Sequence, residues 1–259
     1  MKSLLLIFQL FQPADLAKFH DQRIAALAPA SKEAKEAHKD LGLFWLRNNN
    51  PAEAEFHLRQ ALPDPEITPF LAEAVAAQGR PAQAESIFNE CRQKPRCLSR
   101  LSQFAQSRGD EETATKLLRE LLDLEPTGVH RNDYAQALHN AGKIKEAEAL
   151  YRAAIREQKP GHPETAITQN NLATLLTATE RYVEAEPLQR QALATMRKTL
   201  GPRHVRTALA ASNLADIVRA RGREPEARAL YQQALTVFEE LLPPNHPWTQ
   251  EARQALQNR

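Results

Sequence analysis

The stretch His162-Pro163-Glu164-Thr165-Ala166-Ile167-Thr168-Gln169-Asn170-Asn171-Leu172-Ala173 decides the fold, because it restarts further along the chain. Shifted by 42 residues, His162 falls on His204, and shifted again, on His246. The same shift places Asn171 on Asn213, Leu172 on Leu214, Ala173 on Ala215, Ala185 on Ala227 and Ala192 on Ala234. A fixed offset over two periods is the signature of a repeat array, in which each unit buries its apolar face against its neighbours.

Working outward from this stretch, an alanine recurs near the start of every second helix of a predicted pair: Ala54, Ala84, Ala114, Ala147, Ala185 and Ala227. Five residues before each stands Asn49, Gly79, Gly109, Gly142, Glu180 or Gly222, mostly the residue type that tolerates positive φ after a helix end; Glu180 is the exception. Pro51, Pro81 and Pro225 follow near the first position of the second helix, where a missing N–H costs nothing. Pro187 lies deeper and is expected to bend its helix slightly. The alanines are spaced by 30, 30, 33, 38 and 42 residues. These steps are close to one helical turn, so a unit can lengthen while its apolar stripe stays on one face. The stripe Ala185, Leu188, Ala192, Leu193, Met196, Leu200 has helical rather than alternating spacing, as does Ala227, Leu230, Tyr231, Ala234, Leu235, Phe238. Pro247, Trp248, Ala252, Ala255 and Leu256 form a last half-unit with a polar outer face, as the end of a stack requires.

Alanine and leucine dominate, only 8 glycines occur and the net charge is +2, with acids and bases interspersed. Composition therefore favours helices and gives no electrostatic footprint for nucleic acid or an anionic membrane. No apolar run approaches the roughly 20 residues that span a bilayer. Met1-Lys2-Ser3 followed by Leu4 to Phe11 has a basic start and a short apolar run without a following Ala-x-Ala, which leaves an exported or a cytoplasmic chain open. Residues 13–28 read as an amphipathic helix covering the first repeat. Cys91 and Cys97 flank a short loop; two cysteines are too few for a disulfide framework, so buried free thiols are favoured over a disulfide.

These residues resemble the tetratricopeptide repeat family. Its pattern stands at Leu41-Gly42, Trp45, Ala54, Leu58, Ala61, again at Leu71-Ala72, Val75, Ala84, Phe88, and again at Tyr134-Ala135, Leu138, Ala147, Tyr151, Ala154. A third unit keeps Leu101, Ala114, Leu118 and Pro126, with Ser102 where glycine or alanine is expected. The last units, with Leu200-Gly201-Pro202-Arg203-His204 as a connection, are similar to the longer repeats of kinesin light chains. The resemblance implies an all-α superhelix, a solenoid of about six helix pairs. It also implies an N-terminal segment at 1–33, a repeat array at 34–246 and a C-terminal capping helix at 247–259.

His162, His204 and His246 each precede a helix start at one repeat position, so connection geometry accounts for them better than a metal or catalytic set does. No metal-spaced cluster, phosphate loop or nucleophile elbow occurs, and no enzyme activity, metal or cofactor is expected. In the family, the first helices line a concave groove. Carried over residue by residue, that face holds Arg100 and Gln103, Asn132, Gln136 and His139, Asn170, Asn171 and Thr174, and Asn213, Asp216 and Arg219. An amide offers both a donor and an acceptor, as recognition of an extended peptide backbone requires; bracing between helices is the competing role for Asn171 and Asn213. The lysine and arginine set by which some relatives hold chaperone C-termini is not matched. The reading is therefore a scaffold binding a protein or peptide segment, with self-association as the alternative and single-stranded RNA, which favours basic stacking grooves, as a minor one.

Overall fold

The computed structural model describes Ile24, Leu27 and residues 31–257. The expectations for the apolar run at 1–12 and the amphipathic helix at 13–28 lie outside these residues, apart from Ile24 and Leu27. Among the described residues there are thirteen α-helices and no strand. Six pairs run in order: α1 (Lys32–Arg47) and α2 (Pro51–Gln60), α3 (Thr68–Ala77) and α4 (Pro81–Glu90), α5 (Pro95–Ser107) and α6 (Glu111–Leu124), α7 (Gly128–Asn140) and α8 (Ile144–Glu157), α9 (Pro163–Ala178) and α10 (Tyr182–Thr199), and α11 (Val205–Ala220) and α12 (Glu224–Leu241). A single α13 (Pro247–Gln257) follows. The chain divides into two compact units, Met1–Glu120 and Leu121–Arg259, with the boundary inside α6.

All six expected alanines are fully buried, at 0% exposure. A methyl group is the whole side chain at each contact, and this lets the helices of a pair approach closely. Gly42 takes the same logic further: a β-carbon there would lie 2.6 Å from Leu58 Cγ, so α1 and α2 meet where no side chain fits. Ser102 departs from the family pattern in type but not in size. It is buried, and its hydroxyl donates to Ser99 O at 2.7 Å, within its own helix.

The turn residues within pairs are left-handed throughout, with φ of 55° at Asn49, 77° at Gly79, 74° at Gly109 and Gly142, 59° at Glu180 and 77° at Gly222. Glu180 thus adopts the conformation despite its β-carbon. Arg181 N–H donates to Leu176 O at 2.8 Å, the bond that Lys143 makes to Leu138 and Arg223 to Val218 after their glycines. Closure of the helix end outweighs a local cost of about 1 kcal/mol.

An ion-pair stitch repeats with the alanines. The residue after the alanine is Glu55, Glu85, Glu148 or Glu186, and each pairs with an arginine in the turn of the following pair. Glu55 meets Arg80, Glu85 meets Arg108 at 3.5 Å, Glu148 meets Arg181 at 2.7 Å, and Glu186 meets Arg221 and Arg223. Thr115 and Arg228 hold the equivalent positions in the third and sixth pairs, so neither repeats the device. The Glu186 side chain is 8% exposed and is also held by Arg190 at 2.8 Å. Burial opposes its ionisation, but hydrogen bonds from Arg223, Arg190 and Arg221 outweigh burial and bring the carboxyl down to about 2.

In the first compact unit, Cys91 at the end of α4 is bonded to Cys97 in the first turn of α5, with Cα atoms 5.8 Å apart. This corrects the expectation of free thiols. The two residues are as buried as free thiols would be, but the Lys94–Pro95 entry into α5 brings the second sulfur back over the first.

Two outcomes follow for stability. Replacing both cysteines by alanine should cost about 2 kcal/mol, the chain-entropy value for so short a loop, and a reductant should lower the wild-type urea midpoint by the same amount. A midpoint insensitive to reductant would contradict the pairing. The folded carboxyl of Glu186 lies below its ordinary 4.5, so its contribution is complete above pH 4.5 and is lost as pH falls towards 2. Glu186→Gln should therefore be less stable than wild type by about 3 kcal/mol at neutral pH, with the gap closing towards pH 2 in thermal melts.

Candidate functional site

The expected groove residues of the second compact unit sit on three successive first helices, α7, α9 and α11. The equal register of neighbouring units brings Asn132, Asn170, Asn171 and Asn213 into one row. Asn171 Nδ2 donates to Asn132 Oδ1 at 3.1 Å, and Asn213 Nδ2 donates to Asn170 Oδ1 at 3.0 Å. The adjacent asparagines of α9 thus reach in opposite directions, one back to α7 and one forward to α11. Asn170 Nδ2 closes the row by donating to Asn171 Oδ1 at 3.4 Å, and Asn132 Nδ2 donates to Asp133 Oδ1 at 3.2 Å. Asn132 is buried; the other three are half-buried.

A fifth amide, Gln189 on α10, completes the row from beneath. It is fully buried, and its Nε2 donates to Asn170 Oδ1 at 2.9 Å and to Ala210 O at 2.8 Å. Sequence reasoning passed over it, although one signal was present: a glutamine four residues after Ala185, within the apolar stripe of α10.

The flanking residues divide into two groups. Gln136 accepts from the Tyr151 hydroxyl at 3.2 Å and donates to Asn140 Oδ1 at 3.0 Å, while the His139 ring makes no hydrogen bond and burial lowers its pKa. Asp133 is pushed up by burial, against the opposing bond from Asn132. At the other end Asp216 accepts from Tyr231, and Arg219 pairs with Asp216 at 3.2 Å and lies 5.1 Å over the Tyr231 ring. Burial and the bond to Asp216 push the Tyr231 phenol up. Thr174 is exposed, with its hydroxyl on Asn170 O at 3.0 Å. Arg100 and Gln103 belong to the first compact unit, where Arg100 pairs with Glu73 and lies 4.6 Å over the Phe70 ring; Gln103 is exposed.

The three recurring histidines are helix caps. His162 Nδ1 accepts from Glu164 N–H at 3.4 Å, His204 Nδ1 from Arg206 N–H at 3.1 Å, and His246 Nδ1 from Trp248 N–H at 3.3 Å. No group of histidine, cysteine or carboxylate side chains among the described residues has the arrangement of a metal site. Among the same residues, no helix is long and apolar enough to cross a membrane.

This architecture of small-residue helix pairs matches known proteins. Tetratricopeptide repeat models match residues 127–198 and 164–240, and a further one matches residues 70–90. The chain belongs to the tetratricopeptide repeat family. Comparison with curated proteins returns no match. Among solved structures, BtubC (BKLC) from P. vanneervenii is 18% identical with a TM-score of 0.55, over 86% of this chain and 82% of that one. The nearly identical TPR-like repeats of a kinesin light chain candidate from Podospora anserina are 22% identical with a TM-score of 0.53, over 64% of this chain and 84% of that one. The APC/C hetero-tetramer Cut9-Hcn1 gives a TM-score of 0.65 at 16% identity, over 95% of this chain and 46% of that one.

Because the row is internally bonded, its members differ in structural weight. Asn171→Ala strands the buried Asn132 carbonyl oxygen and should cost about 1–2 kcal/mol, whereas Asn213→Ala, at the end of the row, should cost roughly 0.5 kcal/mol. Urea denaturation of the two variants checks the order; equal losses would mean that the Asn132 oxygen is not left unsatisfied in Asn171→Ala.

Proposed function

We propose that the second compact unit is a non-catalytic scaffold that binds an extended segment of a partner protein across α7, α9 and α11. The observation that carries this reading is the unused capacity of the amide row. The nitrogens of Asn170, Asn171 and Asn213 each use one of two hydrogens within the row, that of the buried Asn132 uses one on Asp133, and Asn213 Oδ1 accepts none. Neighbouring helices lie about 8–10 Å apart, and an extended chain advances about 3.3 Å per residue. Every third residue of such a segment can therefore present its backbone to successive amides. Arg219 and Asp216 at one end and His139 at the other add side-chain discrimination. Arg100 and Gln103 belong to the first compact unit and form no part of this surface. Membership of a family built on protein binding supports this class of partner over nucleic acid, and the interspersed charges agree with it.

The test is a peptide library displayed on phage and panned against the full chain, followed by affinity measurement on Asn213→Ala. Recovered peptides should bind that variant about three- to tenfold more weakly, the value of one backbone hydrogen bond, while the melting temperature changes little. Unaltered affinity would remove the row from the binding surface.

A further inference from the structure

A cleft of about 450 Å³ opens between α10 and α12, on the second helices rather than on the amide row. Its walls are Arg197, Gln233 and Thr236, all exposed, and its floor is Thr207, Ala208 and Ala211 of α11, all buried. Small residues on the floor leave the space between the two outer helices unfilled. Thr207 is 2% exposed, and its hydroxyl has no hydrogen-bond partner. The repeat explains how this arises. Thr165, 42 residues earlier, holds the same position and donates to Lys159 O at 2.6 Å, in the connection before its helix. After the Gly201-Pro202-Arg203 connection Thr207 makes no such bond, and neither does Thr249, 42 residues further on, but of the two only Thr207 lines this cleft.

The polar groups around this cleft are donors in excess. Arg197 donates to Gln233 Oε1 at 2.9 Å, which leaves the rest of its guanidinium fork free and points the unpaired need of Gln233 to its Nε2 hydrogens. Thr207 adds a hydroxyl. Thr236 already donates to Gln232 O at 2.9 Å. No carboxylate lines the cleft. Elsewhere in this unit, Arg131, Arg152, Arg181, Arg190, Arg203, Arg219, Arg221, Arg223 and Arg253 are paired with acids; Arg197, like Arg156, Arg206 and Arg228, is not, and of these four it is the one that lines a cleft, where its side-chain bond goes to a neutral amide.

We propose that this cleft receives the carboxylate of a glutamate side chain carried by a partner protein, with Arg197 taking the carboxylate and the Ala208 and Ala211 methyls taking the aliphatic stem. A single guanidinium fits one carboxylate rather than a phosphate, which draws several cations. An open cleft with one cation holds a free acid weakly, so the occupant is an acid held in place by further contacts of its own chain. The proposal concerns a surface apart from the amide row and does not depend on it.

The test uses the isotope-labelled full chain titrated with the capped peptide Ac-Ala-Ala-Glu-Ala-Ala-NH2, its Gln counterpart and sodium glutarate, following amide resonances of residues 207, 208 and 211 and the Arg197 Nε–H. The Glu peptide should shift them saturably in the millimolar range, the Gln peptide about threefold more weakly, as expected for an exposed ion pair. Arg197→Met should abolish the shifts at unchanged melting temperature. Thr207→Val should weaken binding about twofold while leaving the melting temperature equal or higher, because a buried hydroxyl without a partner is removed. Equal response to the Gln peptide, or an unaffected Arg197→Met variant, overturns the assignment. So does a Thr207→Val variant that melts several degrees lower, and glutarate binding more tightly than the peptide would replace the partner protein by a free small acid.

Discussion

The rest of the molecule depends on how closely two helices can approach when the residue between them is only a methyl group. The six pair alanines have no exposed surface left, and Gly42 shows the limit of the same constraint, with no room even for a β-carbon. This approach sets more than the core. An asparagine side chain is short, so Asn171 reaches Asn132 only if the backbones of α7 and α9 are held near one another, and the same is true of Asn213 and Asn170. Larger residues at Ala173 or Ala185 would move the pairs apart and the row would open before the core did.

Two polar residues on the inward face of α10 show what fixes the stacking of units once alanine has fixed its distance. Glu186 and Gln189 are both buried, and hydrophobic contact alone would not specify which turn of the next pair lies against them. A carboxylate that must meet arginines at 221 and 223, and an amide that must meet the carbonyl of Ala210, can be satisfied in one register. Thr115 in the third pair lacks the carboxylate and bonds its own helix at Glu111 O, 2.7 Å away. The stitch therefore marks, residue by residue, which neighbours are locked by charge.

Much of this was legible in the chain, because the signals were local. The turn residues at a constant offset, the alanines and the histidines before helix starts all report backbone geometry within one unit, and each occupies the expected place. Glu180 was the apparent misfit, and it takes the left-handed turn because the bond from Arg181 to Leu176 closes the helix end regardless of residue type. The Cys91–Cys97 bond was not legible, since composition argues about frameworks and a single bridge depends on how Pro95 turns the chain. Gln189 and Glu186 were missed for a related reason. A polar residue in an apolar stripe announces a partner, but that partner lies 19 to 37 residues away, on helices whose register no local pattern specifies.

The division between packing positions and accessible ones is visible within a single helix. On α9, Thr165, Ala166, Thr168, Leu172, Ala173, Leu175 and Leu176 are buried, and they include the positions by which the family is recognised. Accessible surface is left on a narrow strip that includes Asn170, Asn171 and Thr174. On α11 the corresponding strip holds Asn213, Asp216 and Arg219, between buried Ala210, Leu214, Ala215 and Val218. Packing and accessible surface thus occupy separate positions three and four residues apart, so the strip changes from amide to charge along successive units while the packing beneath it stays the same in kind. A repeat built this way can change its exposed side chains without disturbing the core beneath them, and the internal bonds of the amide row hold the present ones in alignment.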